Sequence, residues 1–299
     1  MYKMNPKFSI IIPHHNEVDL LKRLIATLPK RLDLQVIIVD DFSDLTSQQQ
    51  LQYIKSENPT YEIYFLPQNK GGGGARNFGL TKAIGDFIIF ADSDDFFLPS
   101  INEILDSIDK NYDIVYFNAI SLDTANFHIR KRSKRLNNWI KEYRRNGDEK
   151  NLRYLFGEPW CKIINRSILN NHDILFDETK IHNDTYFSYM SGFYAQNIKV
   201  LDICGYVITE RKTSVSKKVS DDRLYLRAKI FFQKNIFLES NNLGIIDRLF
   251  LSSYWEYLKH FDIRKSIQLN KMLGISISRF FQISLRIIYQ EICHILIRK

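Results

Sequence analysis

The stretch Gly85-Asp-Phe-Ile-Ile-Phe-Ala-Asp-Ser-Asp-Asp95 constrains the chain most, because it joins an apolar run to a cluster of acids. Five of the six residues from Phe87 to Asp92 are apolar. A short apolar run bounded by turn residues predicts a buried strand. Asp92, Asp94 and Asp95 cannot continue into a core, since unpaired buried charge is costly. They mark where the strand leaves the sheet, the edge at which open α/β sheets bind ligands. Two readings follow from these residues alone: oxygen ligands for a hard divalent cation, or an Asp-rich turn or helix cap.

The segments before it repeat one design. Phe8 to Pro13 predicts a first strand, with His14-His-Asn-Glu17 as the loop at its end. Val18 to Leu28 predicts a helix, with Leu20, Leu21, Leu24, Ile25 and Leu28 at helical spacing. Leu34 to Val39 is a second strand ending at Asp40 and Asp41, and Thr46 to Ser56 a helix. Tyr61 to Leu66 is a third strand; Gly71–Gly74 then lead into a helix through Ile84. Strands alternating with helices imply an α/β fold with a mostly parallel sheet flanked by helices. Right-handed crossovers put successive strand ends on one rim. Pro13, Asn16, Asp40, Asp41, the glycine run, Asp92 and Asp94 are therefore expected to converge.

Further on, Pro99 to Asp109 predicts a helix and Asp113 to Phe117 a strand. Residues 126–151 form a basic polar segment, 159–165 an aromatic-basic one, and Lys199 to Ile208 a last strand. Helical patterning runs from Asp222 to the end, without internal repeats. The 299 residues, 44% hydrophobic and 25% charged, have globular composition. Cys161, Cys204 and Cys293 are widely spaced and odd in number, against a disulfide framework or structural zinc site and in keeping with a reducing compartment. No signal peptide or membrane-spanning run is expected. Residues 1–200 hold 25 basic and 25 acidic side chains, so the net charge of +8 comes from residues 201–299, with 17 against 9. A basic rear segment is expected to meet something anionic.

Each motif has a plain alternative. Successive glycine N–H groups before a helix can cradle a phosphate; a flexible connector is the alternative, and neither the P-loop nor the dinucleotide fingerprint fits. Asp40 and Asp41 can accept from a ribose or base, or cap the next helix. Asp184 can be a general base, or a helix cap. Trp160 and Lys162 can meet a sugar and a phosphate, or be a core Trp and a solvated Lys. His14, His15 and His182 lack metal-ligand spacing. The basic run from 130 to 145 reads as a solvated face, and without interleaved aromatics it does not predict nucleic-acid binding.

Taken together, Pro13–Asn16, Asp40–Asp44, Ala75–Gly79 and Gly85–Asp95 resemble the family 2 glycosyltransferases with a GT-A fold. The resemblance is specific over residues 8–110 and looser to about 216. Trp160-Cys-Lys162 is similar to the family's Trp-x-Lys segment, Asn183-Asp184 to its Glu-Asp, and Arg211 to Ser216 to its Arg-x-x-Ser-x-Ser. It implies a GT-A-like, Rossmann-type catalytic domain over 1–216, with a nucleotide-sugar half to about 110 and an acceptor half beyond, then a helical basic region over 217–299. It implies transfer, with inversion, of a hexosyl or N-acetylhexosaminyl group from a nucleotide sugar, UDP foremost. The acceptor would be a glycan or lipid-linked glycan, in synthesis of a surface polysaccharide such as capsule or lipopolysaccharide.

The implied roles are nucleotide-sugar binding by Pro13, Asn16, Asp40, Asp41, Arg76, Asp92, Ser93, Trp160, Lys162 and Arg211. Asp92 and Asp94 would bind Mn2+ or Mg2+, and Asp184 would be the catalytic base. His14-His15 departs from the family's usual loop, and Asn183 stands where it has Glu. A nucleotidyltransferase of similar fold and a non-catalytic nucleotide-sugar-binding scaffold are the competing functions. In the rear, Ser276 to Ile297 predicts a helix with Arg279, Gln282, Arg286 and Gln290 on one face. It is expected to lie on an anionic membrane surface, or to pack on the catalytic domain or a second copy. The expected location is the cytoplasm, peripheral on the inner face of the membrane.

Overall fold

Apolar, β-branched runs and amphipathic segments alternate along the chain, and the elements follow that order. They are β1 (Phe8–His14), α1 (Val18–Ala26), β2 (Leu34–Asp40), α2 (Leu45–Glu57), β3 (Glu62–Phe65), α3 (Gly71–Lys82), β4 (Phe87–Phe90), β5 (Phe96–Phe97) and α4 (Ile101–Asp106). Next come β6 (Ile114–Asp123), α5 (Lys134–Asn146), one π-helical turn (Asn151–Leu155), β7 (Lys162–Asn165), α6 (Arg166–Asn171), α7 (Thr185–Tyr194) and β8 (Ile198–Glu210). Then follow α8 (Asp221–Ser240), α9 (Leu249–Lys259), α10 (Ile263–Met272) and α11 (Ile277–Ile297). This computed structural model describes residues 6–211, 220–259 and 262–297. Residues 212–216 of the Arg-x-x-Ser-x-Ser segment lie outside them. The chain divides into two units, Met1–Ser214 and Val215–Lys299.

In the first unit one eight-stranded sheet runs in the order β3-β2-β1-β4-β7-β6-β8-β5. The first four strands are mutually parallel, as expected. Ile10, Ile11 and Ile12 are fully buried, as are Ile37, Ile38 and Val39. Burial on both faces explains why these strands read as unbroken apolar runs rather than alternating ones. β7 lies antiparallel between β4 and β6 and joins the two halves of the sheet. β6 pairs parallel with β8 across a register shift at Phe117–Ala119.

Two expectations change in extent. The strand expected at Asp113–Phe117 continues to Asp123, because Ala119 and Ser121 stay buried while Ile120 points out. The basic segment contains α5, held by buried Leu136 and Ile140.

The second unit has its own core around Phe231, Phe250, Tyr254, Ile283 and Ile287. Lys234 is buried within it and donates to Asp247 at 2.6 Å. Helix α11 reverses the simple amphipathic picture. Arg279 and Arg286 both pair with Glu239, and Gln290 bonds the Ile246 backbone in both directions, at 2.9 and 3.1 Å. Arg279, Arg286 and Gln290 thus bond to the rest of the unit, while Ile277, Phe281, Leu285 and Ile288 are exposed. Among the described residues no helix is long and apolar enough to cross a membrane.

Candidate active site

The ends of the four parallel strands are stitched into one rim by their own backbones. Asp41 N–H donates to the His14 carbonyl at 2.8 Å, Leu66 N–H to that of Asp40 at 2.9 Å, and Ala91 N–H to that of Ile11 at 3.2 Å. At its first corner, His14 Nδ1 lies 3.0 Å from Asp40 Oδ1, and Ser43 N–H donates to Asp40 Oδ2 at 3.1 Å. Burial opposes the Asp40 charge, but the hydrogen bonds from His14 and Ser43 outweigh it and hold the carboxyl below its ordinary pKa. Asp40 is fully buried. Its expected contact with a ligand is therefore corrected to fixing the loop after β1. In that loop Asn16 takes a left-handed φ of 59° and donates its N–H to Ser43 Oγ at 2.8 Å. Pro13 is half-buried beside it.

Asp41 neither caps α2, whose N-cap is Asp44, nor points away. Its Oδ1 accepts from Lys70 N–H at 2.7 Å, which ties the second strand end to the start of α3. The glycine run is that helix's first turn, so neither a loop-like cradle nor a flexible connector describes it. Close approach explains Gly73 and Gly79: a Cβ on Gly73 would stand 2.2 Å from the Asp177 carbonyl oxygen, and one on Gly79 2.4 Å from Ile11 Cγ2. Asn77 bonds the backbone of Phe176 in both directions, at 2.9 and 2.8 Å. Helix α3 therefore holds the 176–183 loop that leads to Asp184.

At the end of β4, carboxylate oxygens of Asp92, Asp94 and Asp95 all lie within 4.8 Å of one another. Ser93 sits half-buried in the turn between them, which Asp95 N–H closes on the Asp92 carbonyl at 3.0 Å. Burial and then repulsion by Asp92 raise the Asp94 pKa; burial, Asp94 and Asp92 push Asp95 well above its ordinary value. Asp95 accepts from Thr209 N–H at 2.7 Å and so ties the turn to β8. Arg76 pairs with Asp92 at 2.5 Å, and Arg211 with Asp94 at 3.1 Å and Glu17 at 2.5 Å. Oxygen donors crowded this closely, with Asp94 and Asp95 costly to ionise, suit a hard divalent cation.

Asp184 sits across Arg76 from this cluster. Arg76 Nη1 donates to Asn183 Oδ1 at 3.3 Å, while its Nη2 holds Asp92. Asp184 precedes α7, and its side chain makes no cap hydrogen bond. Burial, then repulsion from Glu158, raise its pKa to about 6, and Arg76 pulls the other way. Trp160 and Lys162 correct another expectation. Trp160 is 2% and Lys162 1% exposed; the Lys162 ammonium donates to the Phe156 carbonyl at 2.7 Å. Both belong to the core beneath the rim. Arg23 is a site residue that no sequence motif marks. It donates to the Asp94 carbonyl and, at 3.3 Å, to Thr209 Oγ1. Nothing in its local pattern separates it from an exposed helix Arg.

A model of Glycosyl transferase family 2 matches residues 9–173. An uncharacterized glycosyltransferase of Haemophilus influenzae is 32% identical over 124 residues, 41% of this chain and 47% of that one. The poly(ribitol-phosphate) beta-N-acetylglucosaminyltransferase TarS of Staphylococcus aureus is 29% identical over 215 residues, 69% of this chain and 36% of that one. The chain thus spans less than half the length of these two curated relatives. The crystal structure of TarS 1-349 in complex with UDP-GlcNAc superposes with a TM-score of 0.67 at 22% identity, over 90% of this chain and 80% of that one. The mannosyltransferase PcManGT of Pyrobaculum calidifontis, in complex with GDP-Man and Mn2+, does so with a TM-score of 0.55 at 16% identity, over 94% and 79%. Both likenesses are of fold.

The packing of α3 gives a direct test. Alanine in a helix interior is favoured over glycine by about 1 kcal/mol, whereas forcing a methyl against a backbone carbonyl costs about 1–3 kcal/mol. Gly73→Ala is therefore expected to lower the urea unfolding midpoint. A raised midpoint would mean that the 176–183 loop yields freely.

Proposed function

The chain belongs to glycosyl transferase family 2, and from that premise we propose that it is an inverting glycosyltransferase. It moves a hexosyl or N-acetylhexosaminyl group from a UDP-sugar to a hydroxyl of a glycan or lipid-linked glycan, in the synthesis of a surface polysaccharide. Residues 1–216 carry the catalysis. One observation carries the reading: Arg76 touches both Asp92 and Asn183, so the acid cluster and the residue preceding Asp184 meet on one side chain. The donor base and sugar follow the TarS complex with UDP-GlcNAc, and the polysaccharide follows the poly(ribitol-phosphate) in that relative's name.

The chemistry assigns each group a task. Asp41, fixed on the Lys70 N–H, faces the nucleoside. Asp92 and Asp94 would hold Mn2+ or Mg2+, which stabilises the charge that develops on the diphosphate. Arg76 and Arg211 add positive charge at the same place. On the other side Asp184 accepts the proton of the acceptor hydroxyl. The hydroxyl oxygen bonds to the anomeric carbon as the bond from that carbon to the diphosphate breaks, and the nucleoside diphosphate leaves. One base and one displacement invert the centre. A pKa of about 6 leaves Asp184 ionised at neutral pH but basic enough to take the proton.

The same proposal places the enzyme at the inner face of the cytoplasmic membrane through the second unit. Ile277, Phe281, Leu285 and Ile288 give α11 an exposed apolar stripe, and residues 201–299 hold the whole positive surplus of the chain. Apolar area with excess positive charge suits an anionic lipid surface.

Three outcomes are expected. Asp184→Asn lowers transfer by about 10²- to 10⁴-fold with UDP binding intact, and the wild-type rate falls as pH drops through about 6; a variant with normal turnover would remove Asp184 from this role. Asp94→Ala, like EDTA, suppresses turnover of UDP-GlcNAc, which added Mn2+ restores only in the wild type; full activity in EDTA would end the metal assignment. The chain floats with phosphatidylglycerol liposomes, and Phe281→Glu/Leu285→Glu does not; equal flotation of both would sink the membrane contact.

A further inference from the structure

The basic run Arg130-Lys-Arg-Ser-Lys-Arg135 has no part in the roles above, yet one of its side chains rests against Trp160 and carries a charge that the acid cluster influences. The segment is pinned from both sides. Arg130 N–H donates to the Ser121 carbonyl at 2.7 Å, Ser133 N–H to Ser121 Oγ at 2.5 Å, and Arg132 N–H to Glu210 Oε1 at 3.3 Å. Two of the neighbouring arginines are already matched, Arg130 with Asp123 and Arg135 with Glu158 at 3.1 Å.

Arg132 differs from both. Its guanidinium lies 5.8 Å from the Trp160 ring centroid, so a stacking contact sets its direction. Burial opposes its charge, but Asp92, Asp95, Glu158 and Asp94 outweigh that and raise its pKa. Those are the carboxylates of the cluster and the one that repels Asp184. Arg76 and Arg211 hold Asp92 and Asp94 directly, and Arg23 is engaged by the Asp94 carbonyl and Thr209. Among the described residues Arg132 has no carboxylate within ion-pair distance, and its residue remains solvent-exposed. A planar guanidinium in this state has its five N–H donors available for an oxyanion.

We propose that Arg132 is a substrate-contacting residue that receives a phosphate group, either of the donor diphosphate or of a phosphate-bearing acceptor. The proposal rests on reading the site as that of a nucleotide-sugar transferase. Trp160, buried under the rim, then acts as the rest on which this cation is oriented rather than as a sugar platform. Lysine at 132 would keep the charge and lose the stacked fork.

The test compares the full-length wild type with Arg132→Ala and Arg132→Lys, using calorimetric binding with Mn2+ present. The probes are UDP, uridine, inorganic pyrophosphate and ribitol 5-phosphate. If the phosphate is the donor's, Arg132→Ala weakens UDP and pyrophosphate about tenfold or more, leaves uridine within threefold, and Arg132→Lys recovers part of the loss. If it is the acceptor's, UDP holds and ribitol 5-phosphate weakens about tenfold. Arg132→Ala binding every phosphate probe within threefold of wild type overturns the proposal, as does an equal loss for uridine, which marks a structural role. Should Arg132→Ala fail to fold, Arg132→Gln, which keeps a planar group against Trp160, answers the same comparison. Failure of the wild type to turn over any sugar nucleotide would refute the function above, while the binding comparison would still decide the role of Arg132.

Discussion

Three carboxylates with oxygens inside 4.8 Å of one another dominate the energetics of the rim. Two unit charges 4 Å apart repel by about 4 kcal/mol at the effective dielectric of a protein surface, comparable to a large part of a domain's net stability. The chain answers this repulsion from several distant places. Arg76 comes from α3, Arg211 from the end of β8, and the Thr209 N–H from within β8. Arg23 of α1 supports the same turn through the Asp94 carbonyl. The acid cluster thereby draws the front of the sheet and its last long strand together, and the same groups that stabilise the turn surround the place of the proposed donor diphosphate.

Helix α3 converts packing into site geometry. Gly73 is needed because the 176–183 loop passes over the first helical turn at a distance no side chain would tolerate. Asn77 then clamps Phe176, and Arg76 spans from Asp92 to Asn183. The Ala75-Arg-Asn-Phe-Gly79 motif is therefore a single mechanical unit. Ala75 and Gly79 are small where the helix meets the sheet, while Arg76 and Asn77 reach the two things that must be aligned.

Much of this was legible in the sequence, for a local reason. Strands buried on both faces announce themselves as apolar runs, and right-handed crossovers carry their ends to one rim. So the shared rim of Pro13, Asp40, Asp41 and Asp92 followed from residues 8–95 alone. What could not be read depends on pairings between distant segments. The antiparallel insertion of β7 puts Trp160 and Lys162 into the core. The match of Glu239 to Arg279 and Arg286 ties the polar stripe of α11 to α8. Arg132 looked like one of six residues in a solvated basic run, and only the return of β8 beside β6 gives it a fixed place.

Asn183 illustrates how one departure from the family pattern fits its surroundings. The residue before the proposed base accepts from Arg76 through a neutral amide oxygen at 3.3 Å. A carboxylate at that position would compete with Asp92 for the same guanidinium and add a like charge next to Asp184. Asp184 already carries the effects of burial and of Glu158, with Arg76 as the counterweight that keeps its pKa to about 6. A further negative charge there would act in the same direction as Glu158. The amide leaves Arg76 able to contact both Asp92 and Asn183, so a neutral residue at 183 adds no like charge beside the proposed base at 184.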